Sequence, residues 1–157
     1  MSMELYVLSD MRLASIDDWR RAIDAEGFGL RLSGEKRFED LGGYLPAWWG
    51  EKQAGFECDH RDARELMNEF RDIGFERLWT YALAFRWGAD LNACQGANMA
   101  AAAYSRATAG VVFDPEAGVV LDPAAAAVRV REMERLLPSI ESALRDLARQ
   151  AVPKSDV

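Results

Sequence analysis

Apolar residues alternate with polar ones, or recur at helical spacing, in segments that divide the chain into strands and helices. The run ELYVLS, from Glu4 to Ser9, is rich in β-forming residues and predicts a first strand. Apolar residues then recur every three or four positions over residues 16–26, after a serine suited to capping a helix, Ser15. A first helix is therefore expected there, and renewed alternation over residues 28–32 predicts a second strand.

The glycine-punctuated region that follows predicts a β-hairpin. Residues 33–55 are irregular in pattern but rich in large apolar side chains. A strand that ends near Trp48, a turn at residues 50–53 and a strand over residues 54–58 would form the hairpin, although the turn lacks an Asn-Gly or Asp-Gly pair.

The middle of the chain predicts a helix followed by a strand. Asp62 and Glu65 form a pair that resembles a capping box, which begins a second helix, and Gly74 ends it. From Trp79 to Trp87 the bulky residues occupy the odd positions and the smaller ones the even positions. This alternation predicts a strand whose bulky face packs against helices.

Small residues dominate the next predicted helix. Asp90 opens it, it runs to Gly110, and small side chains on all its sides indicate a tightly packed, partly buried helix. Two β-rich runs at residues 111–113 and 119–121 flank the sequence Asp-Pro-Glu-Ala-Gly. That arrangement predicts a hairpin with a five-residue turn.

The last predicted helix carries an apolar stripe. Asp122, with Pro123 at the first helical position, begins the helix. Pro138 interrupts it and predicts a kink or a break into two helices. Residues 151–157 are expected to form a frayed tail. The residues of the stripe alternate at spacings of three and four: Met133, Leu137, Ile140, Leu144 and Leu147.

Together these elements predict one α+β domain over residues 1–150, in the order β-α-β-β-β-α-β-α-β-β-α. We expect a mostly antiparallel sheet with helices packed mainly on one face. The length of 157 residues suits a single domain with one core. The sequence contains no apolar run of about 18 residues, and its first residues lack the pattern of a signal peptide, so no membrane association is expected.

Charge and cysteine content narrow the classes of function. The net charge of −7 leaves no basic footprint of the kind that nucleic-acid-binding proteins carry, and it favours association with a basic partner. The two cysteines, Cys58 and Cys94, form no disulfide framework. We therefore expect a cytoplasmic protein with reduced thiols.

The stretch GFECDHRDARELM holds the only histidine of the chain and several carboxylates. On a strand, Cys58 and His60 would share one face and Glu57 and Asp59 the other. A zinc site needs about four ligands, and this set supplies half of one, so neither a metal nor a cofactor is expected. The alternative that explains more of the pattern is a helix cap, formed by Asp59 or Asp62.

Catalysis at His60 remains an alternative. Histidine titrates near neutral pH and serves as a general base, here with Glu57 and Asp59 close by. The chain has no Gly-x-Ser-x-Gly elbow, and Cys58 is too close in sequence to His60 to be a convincing nucleophile. The composition thus favours a protein without catalytic activity, with a small hydrolase-like enzyme as the alternative.

An aromatic pair suggests where a partner protein binds. Trp48 and Trp49 are adjacent, so on a strand they point to opposite faces, and one of them is expected to be exposed as an anchor. The carboxylates of Glu51, Glu57 and Asp59 lie nearby in the sequence and would steer a basic partner to it. These five residues are the predicted partner-binding site.

Three segments, GGYLPAWWGEKQAGFECDH, WTYALAFRWGAD and YSRATAGVVFDPEAGVVLDP, resemble small bacterial proteins of α+β architecture. Some similar proteins look like immunity partners of polymorphic toxins. The likeness spans residues 4 to about 130 and includes no catalytic signature. It implies a cytoplasmic interaction module, such as an immunity-type inhibitor of a basic toxin domain. A homodimeric structural protein, paired through the apolar stripe of the last helix, is a further alternative.

Overall fold

The computed structural model of the chain describes residues 2–151. The strands are β1 Met3–Ser9, β2 Leu30–Leu32, β3 Tyr44–Leu45, β4 Ala47–Trp49, β5 Lys52–Gln53, β6 Phe56–Asp62, β7 Tyr81–Trp87, β8 Val111–Asp114 and β9 Val119–Leu121. The helices are α1 Ile16–Glu26, α2 Ala63–Glu69, α3 Leu91–Ala107 and α4 Pro123–Ala151. Residues 152–157 of the predicted tail lie outside the described residues.

Six strands form an antiparallel sheet in the order β3-β6-β7-β1-β8-β9. The three short strands β2, β4 and β5 form a second sheet, with β4 in the middle. The first strand of the chain lies near the centre of the large sheet, between β7 and β8. The predicted α+β architecture with a mostly antiparallel sheet is confirmed.

The large sheet buries apolar residues on both faces, and the two faces differ in size. Helices α1, α3 and α4 cover the main face, whose core includes Leu5, Val7, Leu83, Phe85 and Val112. Helix α2 covers part of the second face, where a smaller core includes Tyr6, Leu8, Leu66, Ala82 and Phe113. Three of the four helices thus lie on one face, as alternation along the strands predicts.

Capping side chains fix the helix starts where the sequence predicts them. The Ser15 hydroxyl accepts a hydrogen bond from the backbone N–H of Asp18 at the start of α1. Asp62 accepts from two backbone N–H groups of α2, and Asp90 does the same for α3. Asp122 accepts from the N–H of Ala125 in the first turn of α4, at 2.7 Å.

The predicted hairpin is present, with a tighter turn. Residues 44–49 pair with residues 52–57 in one continuous antiparallel register, from Tyr44 opposite Glu57 to Trp49 opposite Lys52. The turn consists of two residues, Gly50 and Glu51, and Gly50 has a φ of +61°, which a glycine adopts readily at the first central position of a tight hairpin turn. The sequence did not predict that β4 also pairs with β2, or that β6 joins the large sheet by pairing with β7.

Strand β7 begins two residues later than predicted. The carboxylate of Asp10 accepts hydrogen bonds from both the backbone N–H and the hydroxyl of Thr80, in the place of a strand partner. Trp79 consequently lies outside the strand and packs in the smaller core on the second face. Tyr81 is half-buried and lies outside the main core. The other three bulky residues of the pattern pack on the main face as predicted: Leu83, Phe85 and Trp87.

Several element ends also differ from the predictions. Helix α2 ends at Glu69 and a 3-10 turn continues to Ile73 before Gly74. Asp114 pairs with Val119, which leaves a four-residue hairpin loop instead of five. Helix α4 continues without a break across Pro138, because a proline removes one backbone donor and the flanking turns retain theirs.

Candidate protein-interaction surface

Helix α4 packs closely on the domain over its first turns and leaves it progressively toward its end. Near its start, Ala126, Ala127 and Val130 belong to the main core. Leu137 is buried, and Glu141 lies 3.7 Å from the Lys52 ammonium of β5. Beyond this ion pair, every residue from 142 to 151 is exposed. We call residues 133–151 the distal half of α4.

Four large apolar side chains line one side of this distal half. They recur at helical spacing and are 43–60% exposed, and we call them the α4 stripe: Leu136, Ile140, Leu144 and Leu147. The stripe differs from the predicted one in two positions. Leu137 faces the domain and is only 5% exposed, and Met133 is half-buried. Leu136, which the predicted spacing leaves out, is the residue that faces solvent.

The exposed end of this helix has little tertiary packing to stabilise it. Most helical stability in proteins comes from packing of an apolar face. Covering the half-exposed side chain of one Leu would contribute roughly 1 kcal/mol. The four side chains of the α4 stripe therefore provide the physical basis for docking of a further surface.

A cavity of about 330 Å³ lies beside the first turn of the distal half. Its apolar lining comes from Met3, Leu5, Trp87, Cys94 and Met133. Its polar lining includes Asp114, whose carboxylate accepts from the backbone N–H groups of Glu116 and Ala117 and is ion-paired with Arg129. These contacts satisfy the buried Asp114 and hold the β8–β9 loop against α4. No residue of the stripe lines the cavity, but Met133 precedes Leu136 by three residues and so places the cavity next to the start of the stripe.

The two thiols lie in different surroundings. Cys58 is fully buried on the main face of β6, and burial raises its pKa well above the ordinary range of a thiol. Cys94 is half-buried at the cavity, and burial raises its pKa too. Raised pKa values keep both groups protonated and poorly nucleophilic at neutral pH.

His60 has a structural environment. As predicted, it shares a strand face with Cys58, while Glu57 and Asp59 lie on the other face of β6. Its Nε2 lies 2.9 Å from the backbone oxygen of Phe38; because a carbonyl only accepts, Nε2 carries the proton. The ring packs edge-on against that of Phe38, at 5.1 Å between centroids. These contacts orient the imidazole toward the core.

The predicted tryptophan pair lies in the small sheet. Trp49 packs against the main core, with the Lys52 ammonium 5.7 Å from its ring centroid. Trp48 is half-buried on the opposite side of β4, across from Arg31 and Gln53. Neither indole is fully exposed, so each is a weaker anchor than the leucines of the stripe.

The predicted carboxylates lie along one hairpin. Glu51 is exposed in its β4–β5 turn. Glu57 lies on the second face of the large sheet, 3.9 Å from the Arg86 guanidinium, and Asp59 accepts from the backbone N–H of Gly43 at 3.0 Å. The tryptophans between the turn and these two acids are half-buried, so the predicted site has no fully exposed indole at its centre.

The sequence offers two residues, Asp59 and Asp62, as the cap of the second helix. In the structure Asp62 is the capping residue of α2.

Within residues 2–151, no three His, Cys, Asp or Glu side chains form a group able to hold a metal ion. No helix in the same range is sufficiently long and apolar to cross a membrane.

Comparison with protein-family models, with curated proteins and with solved structures finds no match to this chain. The resemblance to immunity-type proteins therefore remains a prediction that rests on the quoted segments.

Proposed function

We propose that this protein is a non-catalytic interaction protein that binds a partner protein through the α4 stripe. The observation that carries the proposal is the exposure of Leu136, Ile140, Leu144 and Leu147 on a half-helix with little packing of its own. Contiguous exposed apolar side chains with polar rims are typical of protein-binding surfaces.

Within this proposal, an immunity-type inhibitor in the cytoplasm is the specific form that we favour. The resemblance described above supports an immunity-type inhibitor. The net charge of −7 would attract a basic toxin domain. Two free cysteines in the described structure suit a reducing compartment.

A small enzyme with His60 at its centre has less support. A hydrolase of that kind needs a nucleophile beside the imidazole and a cavity in which polar groups converge. The thiol next to His60 is that of Cys58, which is fully buried. The Nε2–H group is hydrogen-bonded to a backbone oxygen.

A homodimer paired through the same stripe is the second candidate, because exposed leucines at helical spacing suit a helix–helix contact between two copies. Sedimentation of the purified protein distinguishes this candidate, since a dimer would dissociate when Leu144 and Leu147 are replaced by Gln.

Affinity capture from the native extract tests the proposal directly. We expect a discrete partner with the unchanged protein, and its loss with the double substitution Leu144→Glu and Leu147→Glu. Ser142→Glu is the matched control, because Ser142 is exposed on the same helix and lies on the opposite side from the stripe, about 120° or more around the helix axis from each of its residues. Equal capture by the double variant and the control would refute the proposal.

A further inference from the structure

An acidic row borders the solvent side of the α4 stripe. Glu132 precedes Leu136 by four residues and Ser139 follows it by three, so both lie next to it on the helix surface. Asp146 continues this row one heptad later. All three residues are exposed, and within residues 2–151 neither carboxylate of the row takes part in an ion pair.

The arginines of α4 lie away from the stripe or are already engaged. Arg129 is paired with Asp114, and Arg131 donates to the backbone oxygen of Glu26 at 3.0 Å. Arg135 and Arg149 follow the two acids by three residues and lie one row further from the stripe, and Arg145 lies on the opposite side of the helix. The charged groups that adjoin the stripe on its solvent side are therefore acidic.

The stripe fits a helix better than an extended segment. From Leu136 to Leu147 it spans about 17 Å, or three helical turns. Each backbone group of the stripe is within a helix, so it has no free edge to which a strand could add. A partner helix with apolar residues at three- and four-residue spacing would interleave with the four side chains.

Charge disfavours a second copy as the occupant. In an antiparallel pair related by a two-fold axis, equivalent flanks meet, so Glu132 of one copy would approach Asp146 of the other. Each copy also carries a net charge of −7, and like charges oppose association. A partner with basic residues along the edge of its apolar face would instead meet the acidic row with opposite charge.

We infer that the α4 stripe binds a cationic amphipathic helix of a partner protein, an inference that rests on the proposed function. The basic residues of that helix lie along Glu132 and Asp146, and its apolar residues cover Leu136, Ile140, Leu144 and Leu147. The cavity beside Met133 receives one apolar side chain of the partner, because it adjoins the stripe and has a lining that includes Trp87.

Synthetic helices test the inference with the full-length protein. Three labelled peptides of about 18 residues, or five helical turns, are compared by fluorescence anisotropy. One has leucines at helical spacing with lysines elsewhere, one has the same leucines with glutamates, and one has the lysine composition with a scrambled leucine pattern. We expect the first to bind at least about 10-fold more tightly than the other two at about 0.1 M salt.

Variants of the protein locate the binding. The double substitution Leu144→Gln and Leu147→Gln should weaken binding of the amphipathic lysine peptide by at least about 10-fold, as expected when anchor side chains are lost. Glu132→Lys with Asp146→Lys should reverse the preference between the lysine and glutamate peptides. Ser142→Gln should leave both affinities unchanged, since this exposed residue lies outside the stripe and the acidic row.

The outcomes separate the inference from the proposed function. Equal binding of the scrambled or the glutamate peptide overturns the inference, because then the amphipathic pattern or the basic charge is not recognised. A dimer that dissociates when Leu144 and Leu147 are replaced also overturns it and identifies a second copy as occupant. If either result occurs while native partner capture still requires the stripe, the proposed function stands. Capture that ignores the stripe refutes the proposed function itself.

Discussion

Helix α3 and the distal half of α4 both contain many apolar residues but differ in their surroundings. In α3, 12 of 17 residues are buried although most of them are alanines or polar residues. In the distal half of α4, the larger apolar residues are mainly exposed. The apolar content of a helix therefore does not determine its burial; the elements that surround it do.

The contacts of α3 show how neighbours determine burial. A Cβ atom on Gly96 would lie 2.2 Å from the backbone oxygen of Ala54, so this turn of α3 approaches the chain between β5 and β6 as closely as backbones allow. Trp19 of α1 donates its indole N–H to the backbone oxygen of Ala100 at 3.0 Å. Small side chains on α3 are thus required by close packing on several sides.

The largest expected effect on stability comes from a substitution in the core beneath α1 and α3. Phe85 is fully buried, and its ring lies 5.9 Å from that of Trp19 and 5.5 Å from that of Phe56. Replacing Phe85 with Ala should lower the free energy of unfolding by about 3–5 kcal/mol, measured by urea denaturation. Thr80→Ser, which keeps the hydroxyl that donates to Asp10, should change it far less. Similar losses in the two variants would contradict the assigned core.

Because α3 is closely packed, a substitution at Gly96 should cause a smaller loss in the free energy of unfolding. Gly96→Ala would ordinarily stabilise a helix by about 1 kcal/mol. Here the added methyl group would overlap with the backbone of Ala54, so we expect a net loss of about 1–3 kcal/mol in thermal or urea unfolding. Gly88→Ala is the control, because no atom lies within 4 Å of the added Cβ at that position. A stabilised Gly96→Ala variant would show that α3 packs less closely than described.

Buried phenols should make the stability depend on alkaline pH. Burial raises the pKa of Tyr104 in α3 to about 12. Burial, and the hydrogen bond to Glu4, raise that of Tyr6 to about 12. An unfolded tyrosine ionises near pH 10, so the folded state holds its protons longer and loses stability as the pH rises from about 10 through 12. Absorbance titration of phenolate alongside unfolding measurements checks this; unfolding stability that stays constant over that range would contradict it.

The distal half of α4 should show the smallest effect on stability. Leu144→Gln and Leu147→Gln remove side chains that are 51% and 60% exposed and that have few intramolecular contacts to lose. We expect each to change the free energy of unfolding by less than about 0.5 kcal/mol. A loss comparable to that of Gly96→Ala would mean that the stripe packs within its own chain.

The sequence predicted the fold more completely than the site. The β-rich run of β1, the alternation along β7 and the capping residues Ser15, Asp62 and Asp122 are local signals, and they identified most elements. The pairing of β4 with β2 was missed, because it depends on which strands meet in space. Local spacing has no information on long-range pairing.

The difference between local spacing and long-range contacts also explains how far the candidate site could be predicted. Spacing along α4 correctly identified an apolar helix face. It could not distinguish the buried Leu137 from the exposed Leu136, since both adjoin that face and only the position of the domain separates them. Spacing also could not show that both predicted tryptophans are half-buried, because that depends on how the small sheet packs on the rest of the domain.

Site-specific photocrosslinking tests the central claim most directly. A photoreactive amino acid at position 144, within the stripe, is compared with one at position 142, which is exposed on the opposite side of α4. Irradiation in the native extract should give one discrete adduct from position 144 and none from position 142, because a docked partner covers the side of α4 that carries the stripe. Equal adducts from both positions, or an adduct from position 142 only, would contradict the α4 stripe as the surface that binds the partner.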